Sequence, residues 1–153
     1  MPQFHVFHVE TDRSFTCDEY AQLMASVHWR EPEDYPAASV AAALHTYDFV
    51  GHVRSESGVL VGYLCAFSDG VFATFVGELV VYPTFQGNGV GAALLNAVEA
   101  AFPGVPVFVL SYRDTHGFFA AQGYTPPPRP IEVLTKLSTW PALGEITLQS
   151  GTG

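Results

Sequence analysis

At 153 residues the chain is sized for one domain around a single core. Its side chains are 48% apolar and only 14% charged, which leaves few charges to cover the surface and points to apolar area shared with a second copy, a homodimer. Fifteen acidic residues against six Lys and Arg give a formal charge of −9, a field that repels phosphate backbones, argues against a nucleic-acid partner and attracts cations such as protonated amines.

The opening stretch MPQFHVFHVETD has no basic segment followed by an apolar one, so it does not read as a secretory signal. Within it, Phe4–Val9 is β-like but short. A first helix is expected from about Asp18 to Trp29, with Asp or Thr as its cap and Tyr20, Leu23, Met24 and Val27 at helical spacing. REPEDYP interrupts it, and a second helix near Ala37–His45 follows Pro36, which suits a first helical turn. YDFVGHVRS and GVLVGYLCAFS read as strands joined by a tight turn at ESG. Asp69-Gly70 then turns the chain into a third strand, VFATFVGELVVYP, completing an antiparallel meander that Pro83 ends.

A third helix is expected over Ala92–Phe102, stopped by Pro103-Gly104. VPVFVLSY is a nearly continuous apolar run, as in a strand buried on both faces. DTHGFFAAQG makes a short helix closed by Gly123, TPPPRP is a stiff linker, and IEVLTKL reads as a last strand. The expected order is β-α-α-β-β-β-α-β-α-β, an α/β domain around a mixed, mostly antiparallel central sheet flanked by helices. That domain spans residues 1–137, with 138–153 as a C-terminal tail. No apolar stretch is long enough to span a bilayer, so the expectation is a cytoplasmic protein with no membrane partner. Cys17 and Cys65 lack CxxC spacing, and Cys65 reads as a small core residue. His5, His8, His28, His45 and His52 show no metal-ligand spacing, so no metal is expected.

Between the third strand and third helix, QGNGVGA places Gly87, Gly89 and Gly91 within five residues. A glycine-rich turn opening a helix presents backbone N–H groups at the positive end of the helix dipole, an arrangement that binds phosphate. A Walker loop requires Gly-Lys-Ser or Gly-Lys-Thr, and no lysine occurs before Lys136. The dinucleotide fingerprint GxGxxG/A is met formally by Gly87, Gly89 and Ala92. However, Tyr82–Gln86 separate the strand from the first glycine, and VFVLS offers no acid for a ribose. The third pattern is Gln/Arg-x-x-Gly-x-Gly/Ala, here Gln86, Gly89 and Gly91, after LVVYP and before a helix with Ala-Ala-Leu-Leu. With FFAAQGY at Phe118–Tyr124 after the next strand, this resembles the GNAT superfamily of N-acetyltransferases over roughly Val40–Leu137.

The resemblance implies that Gln86, Gly87, Asn88, Gly89, Val90, Gly91 and Ala92 wrap the pyrophosphate of acetyl-CoA. It further implies that backbone groups of Leu79, Val80 and Val81 bond the pantetheine arm, one N–H there polarising the acetyl carbonyl. Gly77 suits a bulge or a close approach in that strand. Glu78 is the candidate base that deprotonates the acceptor ammonium, directly or through a water. Phe118 and Phe119 would pack on the cofactor. Phe119 stands where the family usually has the tyrosine that protonates the departing thiolate, and Tyr112, Ser111, His116 and Tyr124 are the substitutes within reach in sequence, Tyr112 first. Apart from the resemblance, Trp29, Glu31, Glu33, Asp34 and Tyr35 are candidates to line the acceptor side, with a solvated loop the account of most of them. The implied activity is acetyl transfer from acetyl-CoA to the primary amine of a small cationic acceptor. A non-catalytic acyl-CoA sensor is the alternative that Phe119 leaves open, and a nicotinamide-dependent oxidoreductase rests on the formal glycine match alone.

Overall fold

The computed structural model describes residues 6–136. Helices α1 (Cys17–Ser26) and α2 (Ala37–Thr46) precede strands β1 (Phe49–Arg54), β2 (Leu60–Ser68) and β3 (Thr74–Val81). Then come α3 (Val90–Ala101), the short strand β4 (Val107–Phe108) and α4 (His116–Ala121). The sheet has the order β1-β2-β3-β4, antiparallel except for the β3–β4 pair.

Local chemistry sets most of the boundaries. Thr16 caps α1 in a reciprocal box with Glu19, satisfying two amides that would otherwise lack partners. The Glu19 carboxylate also receives both arms of the Arg54 guanidinium, at 2.6 and 3.2 Å, fastening α1 to β1. This pairing holds the Glu19 carboxyl down at about 2. At the β2–β3 turn, one Asp69 oxygen accepts the N–H groups of Val71, Phe72 and Ala73, so the hairpin signal is carried by a side-chain cap as well as by Gly70.

The core lies on both faces of the sheet. From Tyr63 onward β2 alternates: Tyr63 and Cys65 face a cluster with Phe15, Tyr20, Leu23 and Met24, while Leu64 and Ala66 face one with Val90, Leu94, Leu95 and Val98. Helices α1 and α2 therefore cover one face and α3 the other.

The ends of the sheet differ from the sequence expectation. Of the expected Phe4–Val9 strand, Phe4 and His5 lie outside the described residues and Val6–Val9 form no strand; among the described residues pairing on that side is the single bridge between Glu10 and His52. The run expected as a doubly buried strand pairs only at Val107–Phe108, and Phe108 and Leu110 are 49% and 51% exposed. Among the described residues β4 has a strand on one side only, and α3 covers just the side where Val107 and Val109 pack. The expected last strand is likewise absent from Ile131–Lys136, which are exposed and irregular. Leu137 and the expected tail lie outside the described residues. No helix among the described residues is long and apolar enough to cross a membrane.

Candidate active site

The register of β2 and β3 shifts once. Cys65 pairs with Glu78 and Ala66 with Val76, so Gly77 is an extra residue without a partner: the bulge that the glycine allowed for. A Cβ at Gly77 would stand 3.2 Å from the Cys65 sulfur, so the bulge closes tightly over that thiol. It sets Glu78 opposite Cys65, on the face covered by α1.

Glu78 is there half-buried in a wall of hydroxyls. The Tyr20 hydroxyl, reaching in from α1, donates to the two carboxylate oxygens at 3.1 and 3.3 Å, and the Cys65 thiol points at one of them from 3.9 Å. The Tyr63 hydroxyl is wholly buried without a hydrogen bond of good geometry, yet its phenol also favours the carboxylate. Burial raises the Glu78 carboxyl above the ordinary range, and the hydroxyls of Tyr20 and Tyr63, the thiol and the charge of Arg30 moderate the rise. Burial and the facing carboxylate push Cys65 up to about 11, and they raise Tyr20 as well. Both therefore stay protonated near neutral pH and act as donors toward Glu78. Tyr47 and Tyr35 feel the same carboxylate, Tyr35 with its ring edge-on to Tyr20 at 5.4 Å. A carboxylate with a raised affinity for protons, held by fixed donors, has the properties of a general base.

Just beyond Glu78 the sheet opens. β3 and β4 pair only at Thr74–Val107 and Phe75–Phe108, so Val76–Val81 have no strand on that side among the described residues. The backbone of Leu79, Val80 and Val81 borders this opening. The Gln86 side chain donates to the Val81 carbonyl at 3.0 Å and ties the following loop to the strand end.

That loop leaves backbone amides open at the start of α3. Gly87 and Gly89 hold φ of +78° and +92°, left-handed values that L side chains rarely adopt, and a Cβ at either would meet nothing within 4 Å. Their role is thus conformational, and the space before them is open. Gly89 is the N-cap of α3 and supplies no side-chain hydrogen bond, so the first-turn amides of Val90, Gly91 and Ala92 are uncapped by any side chain. Gly91 serves packing instead: a Cβ there would lie 2.8 Å from the Phe118 ring.

The remaining sequence candidates separate. Phe118 is 37% exposed and rests against the loop, whereas Phe119 is 8% exposed and sits in the core between Phe118 and Tyr124. Tyr124 donates to Glu99 at 2.7 Å, a structural tie. Tyr112 is 66% exposed, and its carbonyl accepts from Ser111 and Thr115; it makes no hydrogen bond to the Glu78 cluster among the described residues. His116 opens α4 at the surface. Glu31, Glu33 and Asp34 are exposed, with Asp34 accepting from the Glu31 amide, while Trp29 packs on the core. Sequence reasoning did not find Tyr20, Tyr47 or Tyr63, nor the part Cys65 plays. The register across the bulge brings Tyr63 and Cys65 to Glu78, and the packing of α1 on the sheet brings Tyr20; neither is encoded by a local pattern.

The chain is similar to known acetyltransferases in sequence and in fold. The family model described as Acetyltransferase (GNAT) family matches residues 14–124. A mycothiol acetyltransferase from Kineococcus radiotolerans is 38% identical over 98 residues, 63% of this chain and 32% of that protein, so the chain spans about a third of that relative's length. A GNAT-family acetyltransferase from Streptococcus pneumoniae shares the fold at a TM-score of 0.64 and 18% identity, covering 86% of this chain and 100% of that one. AAC(6')-Iy, solved with the bisubstrate analog CoA-S-monomethyl-acetylneamine, does so at 0.65 and 16% identity, covering 86% and 99%. The chain belongs to the GNAT acetyltransferase family, N-acetyltransferases whose acetyl donor is acetyl-CoA.

Proposed function

We propose that this chain transfers the acetyl group of acetyl-CoA to the primary amine of a small cationic acceptor by direct attack on the thioester. The observation that carries the reading is Glu78: a carboxylate with raised proton affinity, fixed by Tyr20 one residue past a bulge, beside an open slot that leads to a glycine-rich helix N-terminus.

In this reading the amides of Gly87–Ala92 hold the pyrophosphate, with Gln86 and Asn88 bracing the loop, and Phe118 lines it. The backbone of Leu79–Val81 holds the pantetheine arm and one N–H polarises the thioester carbonyl. The acceptor ammonium gives a proton to Glu78, directly or through a water. The free amine attacks the carbonyl carbon, the oxyanion forms against the backbone N–H, and collapse expels the coenzyme A thiolate while the attacking nitrogen releases its surplus proton to water. That thiolate takes a proton from Tyr112 or from water, since Phe119 has none to give. A thiolate of pKa about 8.5 is a tolerable leaving group without an acid. Cation attraction by Glu78 and by the overall charge of −9 favours an ammonium acceptor.

The test is free-thiol release from acetyl-CoA against a panel of primary amines. One amine class should support turnover, and neutral isosteres lacking the amine should not. Acetyl-CoA binding with no release across the panel would overturn the reading in favour of the sensor that Phe119 allows.

The single-domain division at residue 137 and pairing with a second copy belong to the same proposal. Phe67, Phe75 and Phe108 lie side by side across β2, β3 and β4 and are 45%, 40% and 49% exposed, an apolar row that a second copy would cover. Sedimentation equilibrium should give a dimer that Phe75→Lys dissociates; a monomer at tens of micromolar chain would contradict this.

A further inference from the structure

Away from Glu78, on the outer edge of β1, the fold gathers three residues that are distant in sequence. Glu10 and His52 exchange both backbone hydrogen bonds at 2.9 Å, which fixes their side chains next to each other. The His52 ring is 0% exposed, edge-on to Phe15 at 5.2 Å, and neither of its nitrogens has a hydrogen-bond partner. Its Nε2 lies 3.4 Å from Glu10 Oε2 and 3.8 Å from Asp12 Oδ1, on side chains 43% and 59% exposed. The three ligand atoms lie within 4.8 Å of one another.

A buried imidazole nitrogen without a partner has lost its water and gained nothing in exchange, which is unfavourable. A proton shared with the carboxylates would relieve that cost, but the contacts are too long and poorly aligned for a hydrogen bond, and burial disfavours the imidazolium. The spacing suits a larger cation. Two ligands at about 2.0–2.2 Å from a tetrahedral zinc stand about 3.3–3.6 Å apart, which the Glu10 contact meets and the Asp12 contact approaches to within the freedom of an exposed side chain. The donors, one imidazole nitrogen and two carboxylate oxygens, suit a borderline-soft divalent ion. Asp12 is also oriented from behind, its Oδ1 accepting the Ser14 amide at 3.0 Å, as ligating carboxylates commonly are. The nearby Arg54 charge is already engaged by Glu19.

We propose that His52, Glu10 and Asp12 bind one divalent ion of the zinc type, with a water completing the coordination on the exposed side. The ion clamps the N-terminal segment, whose Phe7 and Val9 pack on the core, to the edge of the sheet. The site is separate from the acetyl-transfer machinery and stands whether or not the proposed acceptor is right.

The experiment titrates chelator-treated full-length protein with Zn²⁺ in competition with a chromophoric chelator and follows thermal unfolding with and without the ion. Wild type should bind one Zn²⁺ per chain and gain thermal stability from it. Glu10→Gln and Asp12→Asn should each weaken binding at least tenfold, and the double variant should show no thermal gain. Glu10 is half-buried and Asp12 exposed, and both replacements keep the size of the side chain, so the variants should fold; circular dichroism without zinc checks this. No binding by wild type, or equal affinity in wild type and the folded double variant, would overturn the proposal and leave only a histidine–carboxylate contact.

Discussion

Glu78→Gln is expected to lower kcat/KM for the acceptor amine by about 10²–10⁴, the span associated with a positioned general base, while the fold persists. The amide keeps the size of the carboxyl group and can still accept the Tyr20 hydroxyl. Stability separates a catalytic loss from an unfolded variant. Burial raises the Glu78 carboxyl, so the folded chain holds that proton more tightly than the unfolded chain does. Its contribution to stability is therefore fully present below the unfolded value and is lost as pH rises through the folded one. Glutamine cannot ionise, so at neutral pH the variant should melt at the wild-type temperature or above it. The acid limb of the wild-type kcat/KM profile should lie above the ordinary carboxylate value of about 4.3, and that limb should vanish in the variant's residual activity. Turnover within threefold of wild type would remove Glu78 from the chemistry.

Gly89→Ala is expected to raise KM for acetyl-CoA at least tenfold. With φ at +92°, alanine carries a left-handed penalty of about 1–2 kcal/mol. Relief of that strain turns the amides away from where the pyrophosphate would sit. Nothing lies within 4 Å of the added methyl group, so the change disturbs no packing. Gly58 provides the matched control, since it has φ of +84°, open surroundings and a place in the β1–β2 turn. Gly58→Ala should cost similar stability and leave KM for acetyl-CoA unchanged. Equal KM values in the two variants would mean that the loop at Gly89 holds no phosphate.

What could be read from the sequence follows what is local. The α1 cap, the turns at Gly58 and Asp69-Gly70, and the glycine loop each depend on a few adjacent residues, and each stands where the pattern puts it. The bulge at Gly77 was also legible in part, because a glycine inside a strand marks either a bulge or a close backbone approach, and here it is the bulge. The sheet edges were not. An apolar run such as VPVFVLSY indicates a strand, but its length depends on what lies beside it, and β4 pairs over two residues only. The surroundings of Glu78 were hidden for a related reason. Tyr20 arrives from a helix 58 residues earlier, and Tyr63 and Cys65 face the site only through a register that one extra residue sets. Phe119 shows the limit of a motif. The pattern places it where a proton donor would stand, while its packing with Phe118 and Tyr124 makes it a core side chain.

Amide chemical shifts of the ¹⁵N-labelled full chain, followed during titration with coenzyme A and separately with NAD, test most directly whether the bare backbone at Gln86–Ala92 holds the cofactor. Coenzyme A should move the Gly87, Gly89 and Gly91 amides most, with Leu79–Val81 next, and NAD at equal concentration should leave them in place. Shifts that cluster elsewhere, or an equal response to NAD, would contradict that assignment and the acetyl-transfer mechanism built on it.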